Sequence, residues 1–197
     1  MKSISIFLFL LITLASNAQD NKTSGLNARQ FHKYWKVESE SPDYKVTFLG
    51  DTVEILSPKG LTLWRKEKMS GKVTIEYDAC VVVEVEGDRL SDLNCFWMAS
   101  DPQYPDNIWK REKWRNGIFL NCYSLQLYYM GYGGNHNSTT RFRRYDGNEA
   151  AITNAKARPA ILKEYTDADH LLEANKWYHI KITNENNRVS YYINGVR

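Results

Sequence analysis

QLYYMGYGGNHNSTTRFRRY, residues 126–145, is the stretch on which the reading of this chain turns. Two runs rich in aromatic and strand-forming residues flank Gly133-Gly134-Asn135-His136-Asn137-Ser138. The residues of that loop tolerate left-handed backbone at low cost, so the runs read as two strands joined by a tight connection. The pattern continues outward on both sides. Residues 44–49, 52–56 and 61–65 form short strands, divided by Gly50-Asp51 and by Pro58-Lys59-Gly60. Residues 73–85 make a longer apolar run suited to a strand buried on both faces, and 93–99 follows. Strands are also predicted over 118–132, 139–145, 177–183 and 188–193. Helical periodicity is confined to 28–35 and 167–174. Many short strands with almost no strand–helix alternation predict an all-β, antiparallel β-sandwich. No internal repeat or low-complexity linker divides it, so residues 19–197 read as one domain.

The two ends carry their own signals. Lys2, the apolar run 4–14 and the small residues Ser16-Asn17-Ala18 read as a cleavable signal peptide over 1–18, which predicts a secreted or periplasmic protein. No later run reaches about 18 apolar residues, so no membrane span is expected. At the other end Asn194-Gly195 is a strong hairpin signal followed only by Val196 and Arg197. That predicts a longer natural product whose C-terminal strands complete a sheet.

Composition narrows the function. Net charge is +3, from 26 basic and 23 acidic side chains, which argues against a dedicated nucleic-acid binder. Thirteen Tyr and six Trp suit stacking on sugar faces, or a sandwich core. Cys80, Cys95 and Cys122 cannot all pair within one chain, and each sits in an apolar run, so they read as buried free thiols. No Cys/His spacing resembles a zinc site. No cofactor is required by any motif; Asp101 with Asp106 is a weak hint of oxygen ligands for a structural Ca²⁺.

Residues 126–145 also hold the chemistry. Side chains alternate faces along a strand. Leu125, Leu127 and Tyr129 then share a core-like face, and Gln126, Tyr128, Met130 and Tyr132 share the other. Arg141, Arg143 and Tyr145 share a face of the second strand. Paired through the Gly-rich loop, Gln126, Tyr128 and Tyr132 are expected beside Arg141, Arg143 and Tyr145, with Asn135 and His136 at the rim. Such a set suits β-elimination from a uronic acid. Removing the C5 proton builds charge on the carboxylate, which Arg neutralises in bidentate fashion and Asn assists. Tyr132, Tyr145 or His136 would supply base and acid, with Arg charge expected to lower a phenol pKa from its usual value near 10. Trp109 and Trp114, in the long loop 101–116, are expected to cap the cleft. His179 shares a face with Trp177 and Lys181 and is a second binding candidate, whereas His32 and His170 read as structural. Glu76 and Asp78 share a strand face but read as solvated rather than as a glycosidase pair. No G-x-S-x-G elbow or phosphate-binding loop is present.

An ordered set of segments adds a resemblance. Gly60-Leu-Thr-Leu-Trp-Arg65, Ser91-Asp-Leu-Asn94, Phe96-Trp-Met-Ala-Ser-Asp101, and Tyr128-Tyr-Met-Gly-Tyr-Gly-Gly-Asn135 with Thr139-Thr-Arg-Phe-Arg-Arg-Tyr145 resemble secreted concanavalin A-like jelly-roll proteins. Those proteins are encoded in polysaccharide-utilisation loci of Bacteroidota, and the family includes oligosaccharide dehydratases of ulvan degradation. The resemblance spans residues 44–195. It implies a carbon–oxygen lyase that dehydrates or cleaves uronate-containing oligosaccharides to leave 4,5-unsaturated uronyl ends. It also adds Asn94 and Arg65 as sugar-binding candidates. The substrate would be the partner, with the protein a monomer that engages neither nucleic acid nor membrane. A non-catalytic carbohydrate-binding module and a glycoside hydrolase remain the alternatives.

Overall fold

The computed structural model describes residues 4–9 and 28–197, with side chains described from Gln30 onward. Its strands are β1 (Ile4–Phe9), β2 (Trp35–Ser39), β3 (Lys45–Leu49), β4 (Thr52–Ser57), β5 (Leu61–Arg65), β6 (Val73–Val82) and β7 (Leu93–Ser100). They continue with β8 (Gln126–Gly133), β9 (Thr139–Asp146), β10 (Ile161–Tyr165), β11 (Trp177–Glu185) and β12 (Arg188–Ile193). All pairings are antiparallel. A six-stranded sheet runs in the order β12-β11-β6-β1-β4-β3, a four-stranded sheet runs β10-β9-β8-β7, and β2 pairs with β5. The all-β sandwich expected from the sequence is the fold.

The two larger sheets face each other across one apolar core. Val53, Ile55, Tyr77, Ala79, Val81, Ile180 and Ile182 meet Leu93, Trp97 and Tyr132 there, every one of them buried. Trp97 stacks on Tyr128, Phe142 and Tyr191 at ring-centroid distances of 5.9, 5.9 and 6.1 Å, joining the layers with an aromatic ladder. Each such pair contributes about 0.5–1.5 kcal/mol beyond its buried area. The four-stranded sheet is covered on its other face too. Leu127, Tyr129 and Tyr145 pack there against Trp64, Cys122, Tyr123, Leu125 and Ala151.

Several sequence expectations shift. Residues 118–125, expected in a strand, open with a 3₁₀ turn at Phe119–Ser124 that rolls Cys122, Tyr123 and Ser124 into the second cluster. Residues 167–174 hold only the 3₁₀ turn Ala168–His170 in place of a helix. Strands β2 and β10 were not expected. The helix over 28–35 is present as Ala28–Tyr34, and the Asn194-Gly195 turn forms, both residues at positive φ and Ile193 bridging Val196. The three cysteines are free thiols. Ile4–Phe9, part of the segment read as a leader, lies between β4 and β6; the rest of residues 1–18 falls outside the described residues.

The loop 101–116 is held by charge. Asp101, fully buried, accepts from Arg111 Nε at 2.7 Å and Nη2 at 2.9 Å, and Arg111 also pairs with Glu149. Arg115, 1 % exposed, donates to Glu38 at 2.7 Å and to the Ile108 carbonyl at 2.8 Å. Asp101 is thereby committed to a guanidinium, and Asp106 is exposed on the same loop. No group of three His, Cys, Asp or Glu side chains able to hold a metal occurs among the described residues.

Candidate functional site

The site begins with a register detail. Gly131 pairs with Arg141, while Gly134 bridges Thr139. Between those contacts lie two residues on β8, Tyr132 and Gly133, opposite one on β9, Thr140. That is a β-bulge, with Gly133 in the left-handed region at φ 65° and ψ 29°. Its position is fixed from several directions. The Gly133 carbonyl accepts from Ser91 Oγ at 2.9 Å and from the Asp92 N–H at 3.1 Å, while its own N–H donates to Thr140 Oγ1 at 3.1 Å. A Cβ on Gly133 would also meet Leu172 at 2.4 Å.

The bulge decides which residues share a face. Below it Tyr129 pairs with Arg143 and Leu127 with Tyr145, so Arg141 and Arg143 stand beside Tyr129 and Gly131. Tyr128, Met130 and Tyr132 turn to the opposite, core-facing side. Across β7, Asn94 is level with Gly131 and Phe96 with Tyr129. The resulting surface carries Asn94, Tyr129, Arg141 and Arg143, with Asn135 and His136 on the loop above.

Tyr129 is the centre of that surface, and the sequence reading had assigned it to the core. Its hydroxyl donates to Asn94 Oδ1 at 3.0 Å. It reaches that position because the next residue on the same face is glycine: a Cβ on Gly131 would lie 2.1 Å from the phenol oxygen. The ring packs on Phe96, Phe119 and Tyr145 at 5.4–5.5 Å. Burial pushes the phenol pKa well above its ordinary value, Asp92 adds to the rise, and Arg143 and Arg141 only partly oppose it. The expectation that Arg charge would lower a site phenol is therefore reversed, because desolvation outweighs the two guanidinium fields. Arg141 pairs with Glu164 on β10, and Arg143 donates to the Pro159 carbonyl. Both guanidinium groups are half-exposed and oriented from β10's side.

This surface borders a cleft of about 1360 Å³, larger than the roughly 300–1,000 Å³ of typical small-ligand sites. Consecutive residues of β5 and β7 line it, so it borders the edges of those two strands that no other strand pairs with among the described residues. Its walls carry eight Lys and Arg side chains against four Asp and Glu, a cationic balance suited to an acidic ligand. Of the site candidates, Arg65, Asn94, Trp109, Asn135, His136, Arg141, Arg143 and Tyr145 line it.

Five expected residues are elsewhere. Tyr132 is 2 % exposed in the sandwich core, and its hydroxyl donates to the Leu171 carbonyl at 3.0 Å. Tyr128 faces the same core beneath Arg144. Gln126 is exposed at the end of β8. His179 lies on the outer face of the six-stranded sheet, 2.9 Å from Asp78, with Glu76 and Lys181 nearby. Glu76 and Asp78 thus sit away from the cleft, beside Lys181 and His179. Tyr145 lines the cleft, but its hydroxyl is buried against Tyr123, at a ring distance of 4.7 Å, and burial raises its pKa far above the usual range. Trp114 is exposed against Arg111 and does not cap the cleft; Trp109 does line it.

His136 is held in strained backbone. Asn135, His136 and Asn137 have φ of 54°, 58° and 57°, three successive left-handed residues. For a side chain such as His this conformation costs about 1–2 kcal/mol, and such strain concentrates at functional sites. Asn137 holds the run by bonding both backbone groups of Leu172 at 2.8 Å, and Ser138 Oγ donates to the Asn135 carbonyl at 2.6 Å. The imidazole is exposed at the mouth of the cleft.

Residues 55–197 match the profile of a domain of unknown function, DUF6250. The chain belongs to that family. The matched region contains the bulge, the Arg and Tyr surface and all of the cleft lining except Trp35 and Glu40. Neither a curated protein nor a solved structure matches the chain.

Proposed function

We propose that the protein is an exported, carbohydrate-active β-eliminating enzyme, a dehydratase or lyase that acts on uronate-containing oligosaccharides. The observation that carries this reading is the grouping of one buried phenol, Tyr129, with Asn94 and two guanidinium groups, Arg141 and Arg143, beside a cationic cleft. In the reaction the uronate carboxylate is held by Arg141 and Arg143. A base removes the C5 proton, the C5 electron pair forms the C4–C5 double bond, and the C4–O bond breaks as its oxygen is protonated. Tyr129 fits the acid: burial keeps its proton in place at neutral pH, so a neutral phenol is available to the leaving oxygen. His136, at the mouth of the cleft, is assigned as the base. With hydroxyl as leaving group the product is water and the enzyme a dehydratase; with a sugar oxygen it is a lyase. Both leave a 4,5-unsaturated uronyl end, in keeping with the jelly-roll family that the sequence resembles.

Incubation with saturated uronate oligosaccharides tests this by ultraviolet absorbance of the conjugated double bond, and mass spectrometry separates loss of water from chain shortening. Unchanged absorbance with every uronate offered would remove the enzymatic reading. A non-catalytic sugar-binding role is the second reading, favoured by the pairing of Arg141 with Glu164, which already meets part of its charge. It predicts binding of the same oligosaccharides with no absorbance change.

A further inference from the structure

The loop 101–116 carries two aromatic rings that the cleft does not use. Tyr104 and Trp114 are 38 % and 43 % exposed, and neither lines the cleft, which the loop borders through residues 105–109 instead. Both rings lie against one guanidinium, the Arg111 Cζ being 6.0 Å from the Tyr104 ring and 5.1 Å from the Trp114 ring. That guanidinium is clamped: Nε and Nη2 donate to the buried Asp101 carboxylate, and Nη1 donates to Glu149. The turn Glu112–Arg115 is fixed as well, because Arg115 points inward to Glu38 and Asn121 donates to the Trp114 carbonyl at 3.0 Å. Exposed Gln103 donates to Glu149 at 2.7 Å, which adds an amide and a carboxylate around the same guanidinium. Aromatic side chains scattered singly over a surface need no explanation. Two outward rings sharing one clamped cation, bordered by planar hydrogen-bonding groups, are a built surface. Its composition suits a pyranose unit, whose C–H face stacks on an aromatic ring while its hydroxyls bond amide and carboxylate. With two carboxylates to one guanidinium, the cluster does not favour an acidic group and binds by stacking.

We infer that Tyr104 and Trp114, with Gln103 and Glu149, form a second carbohydrate-binding surface outside the cleft, which holds the apolar faces of pyranose units in a long glycan chain. The inference rests on the carbohydrate reading of the cleft but not on elimination. Residues 105–109 of the same loop line the cleft, so a chain engaged there can continue across the loop to the rings. The surface therefore favours polymers over short oligosaccharides.

Three uronate polysaccharides, ulvan, alginate and pectate, test it, each beside the trisaccharide cut from it, with affinities compared per sugar unit by calorimetry. At least one polymer is expected to bind about 10-fold or more tightly than its trisaccharide, the effect of two stacked rings. Trp114→Ala and Tyr104→Ala should each remove about 2- to 10-fold of that preference. Both side chains are exposed, so each variant should keep trisaccharide affinity within about twofold and unfold as the wild type does. Trp114→Phe retains a ring and should keep most of the preference. Absence of preference for every polymer, or full preference retained in Trp114→Ala or Tyr104→Ala, overturns the surface. An equal fall in trisaccharide affinity overturns it too, since the rings would then belong to the cleft's own site. A double bond formed on a trisaccharide without any ring-dependent preference leaves the elimination reading standing and removes the surface. A ring-dependent preference with no double bond from any sugar does the reverse.

Discussion

Replacing Tyr129 with Phe separates chemistry from packing, because the ring and the hydroxyl have different work in this structure. The ring is retained in Phe and keeps its contacts with Phe96, Phe119 and Tyr145. Only the 3.0 Å bond to Asn94 Oδ1 is lost. A hydrogen bond of that kind contributes about 0.5–1.5 kcal/mol net, so the melting temperature should fall by about 1–6 °C for a chain of this size. Turnover should fall far more. Loss of a positioned proton donor costs about 10²- to 10⁴-fold, equivalent to about 3–5 kcal/mol in the barrier. The assay is initial rate of double-bond absorbance on a uronate oligosaccharide, with thermal unfolding of the same samples. Tyr132→Phe and Tyr145→Phe are the controls, since one hydroxyl is in the sandwich core and the other is buried against Tyr123. Both should retain turnover within a few-fold of wild type, well short of the loss expected for a proton donor. The pH profile adds a second check. A general acid must be protonated, and the raised Tyr129 pKa keeps it so, hence activity should show no alkaline limb from this group below about pH 10. The assignment of Tyr129 as the acid is refuted if Tyr129→Phe turns over at the wild-type rate, or if Tyr132→Phe is the variant that fails.

Other outcomes follow from the same geometry. Gly131→Ala places a methyl group where the Tyr129 hydroxyl lies and should cut turnover about as deeply as Tyr129→Phe; retained activity with a folded protein would show that the phenol position is not needed. Asn137→Ala frees the left-handed run carrying His136, and should lower kcat more than KM, read from steady-state kinetics. Arg115→Met leaves the Glu38 carboxylate buried without its cation and should cost about 3–5 kcal/mol in urea unfolding, with Arg115→Met combined with Glu38→Gln costing less than the single change. Raising pH should destabilise the fold. Tyr77, Tyr129, Tyr132, Tyr145 and Tyr191 have pKa values raised by burial, and the thiols of Cys95 and Cys122 are pushed up to about 11 and about 12. Above pH 9–10, roughly where these groups ionise when unfolded, the unfolded chain releases protons that the native chain keeps, so stability present below that range is lost as pH rises. Urea midpoints that stay flat from pH 8 to pH 11 would contradict this. If the leader reading holds, exported protein begins at Gln19 and lacks β1; recovery of folded, exported protein retaining Met1 would instead make Ile4–Phe9 a structural strand.

The strands that sequence reading found share one property: each is a contiguous run of strand-forming residues closed by Gly, Pro or Asn. Strands β4, β5 and β12 are of this kind, and their boundaries agree within a residue. Strand β2 was missed, only its first residue Trp35 falling in the expected helix, because Trp35 to Ser39 carries Lys and Glu and owes its conformation to pairing with β5. Strand β10 is an edge strand with four of its five residues exposed, so no burial pattern marks it. The 3₁₀ turn at Phe119–Ser124 is as apolar as a strand, since it packs under Tyr145 rather than in a ladder. In each case the deciding contact is non-local.

The candidate site shows how small such a non-local decision can be. Without the bulge at Tyr132 and Gly133, the contact of Gly134 with Thr139 would propagate as Tyr132 beside Arg141, Met130 beside Arg143 and Tyr128 beside Tyr145. That is the face expected from simple alternation. One extra residue on β8 shifts the pairing by one and sends every β8 side chain below it to the other side of the sheet, so Tyr129 replaces its neighbours as the phenol beside the two arginines. The grouping of the candidates was therefore partly legible, since Arg141, Arg143, Asn135 and His136 do lie together beside the cleft. The identity of its phenol was not. One clue was nevertheless present in the chain itself. Gly131 between Met130 and Tyr132 is unfavourable inside a strand unless something must occupy the space of its side chain. The side chain that needs that space is the tyrosine two residues earlier on the same face, and in the fold it is the Tyr129 hydroxyl that fills it.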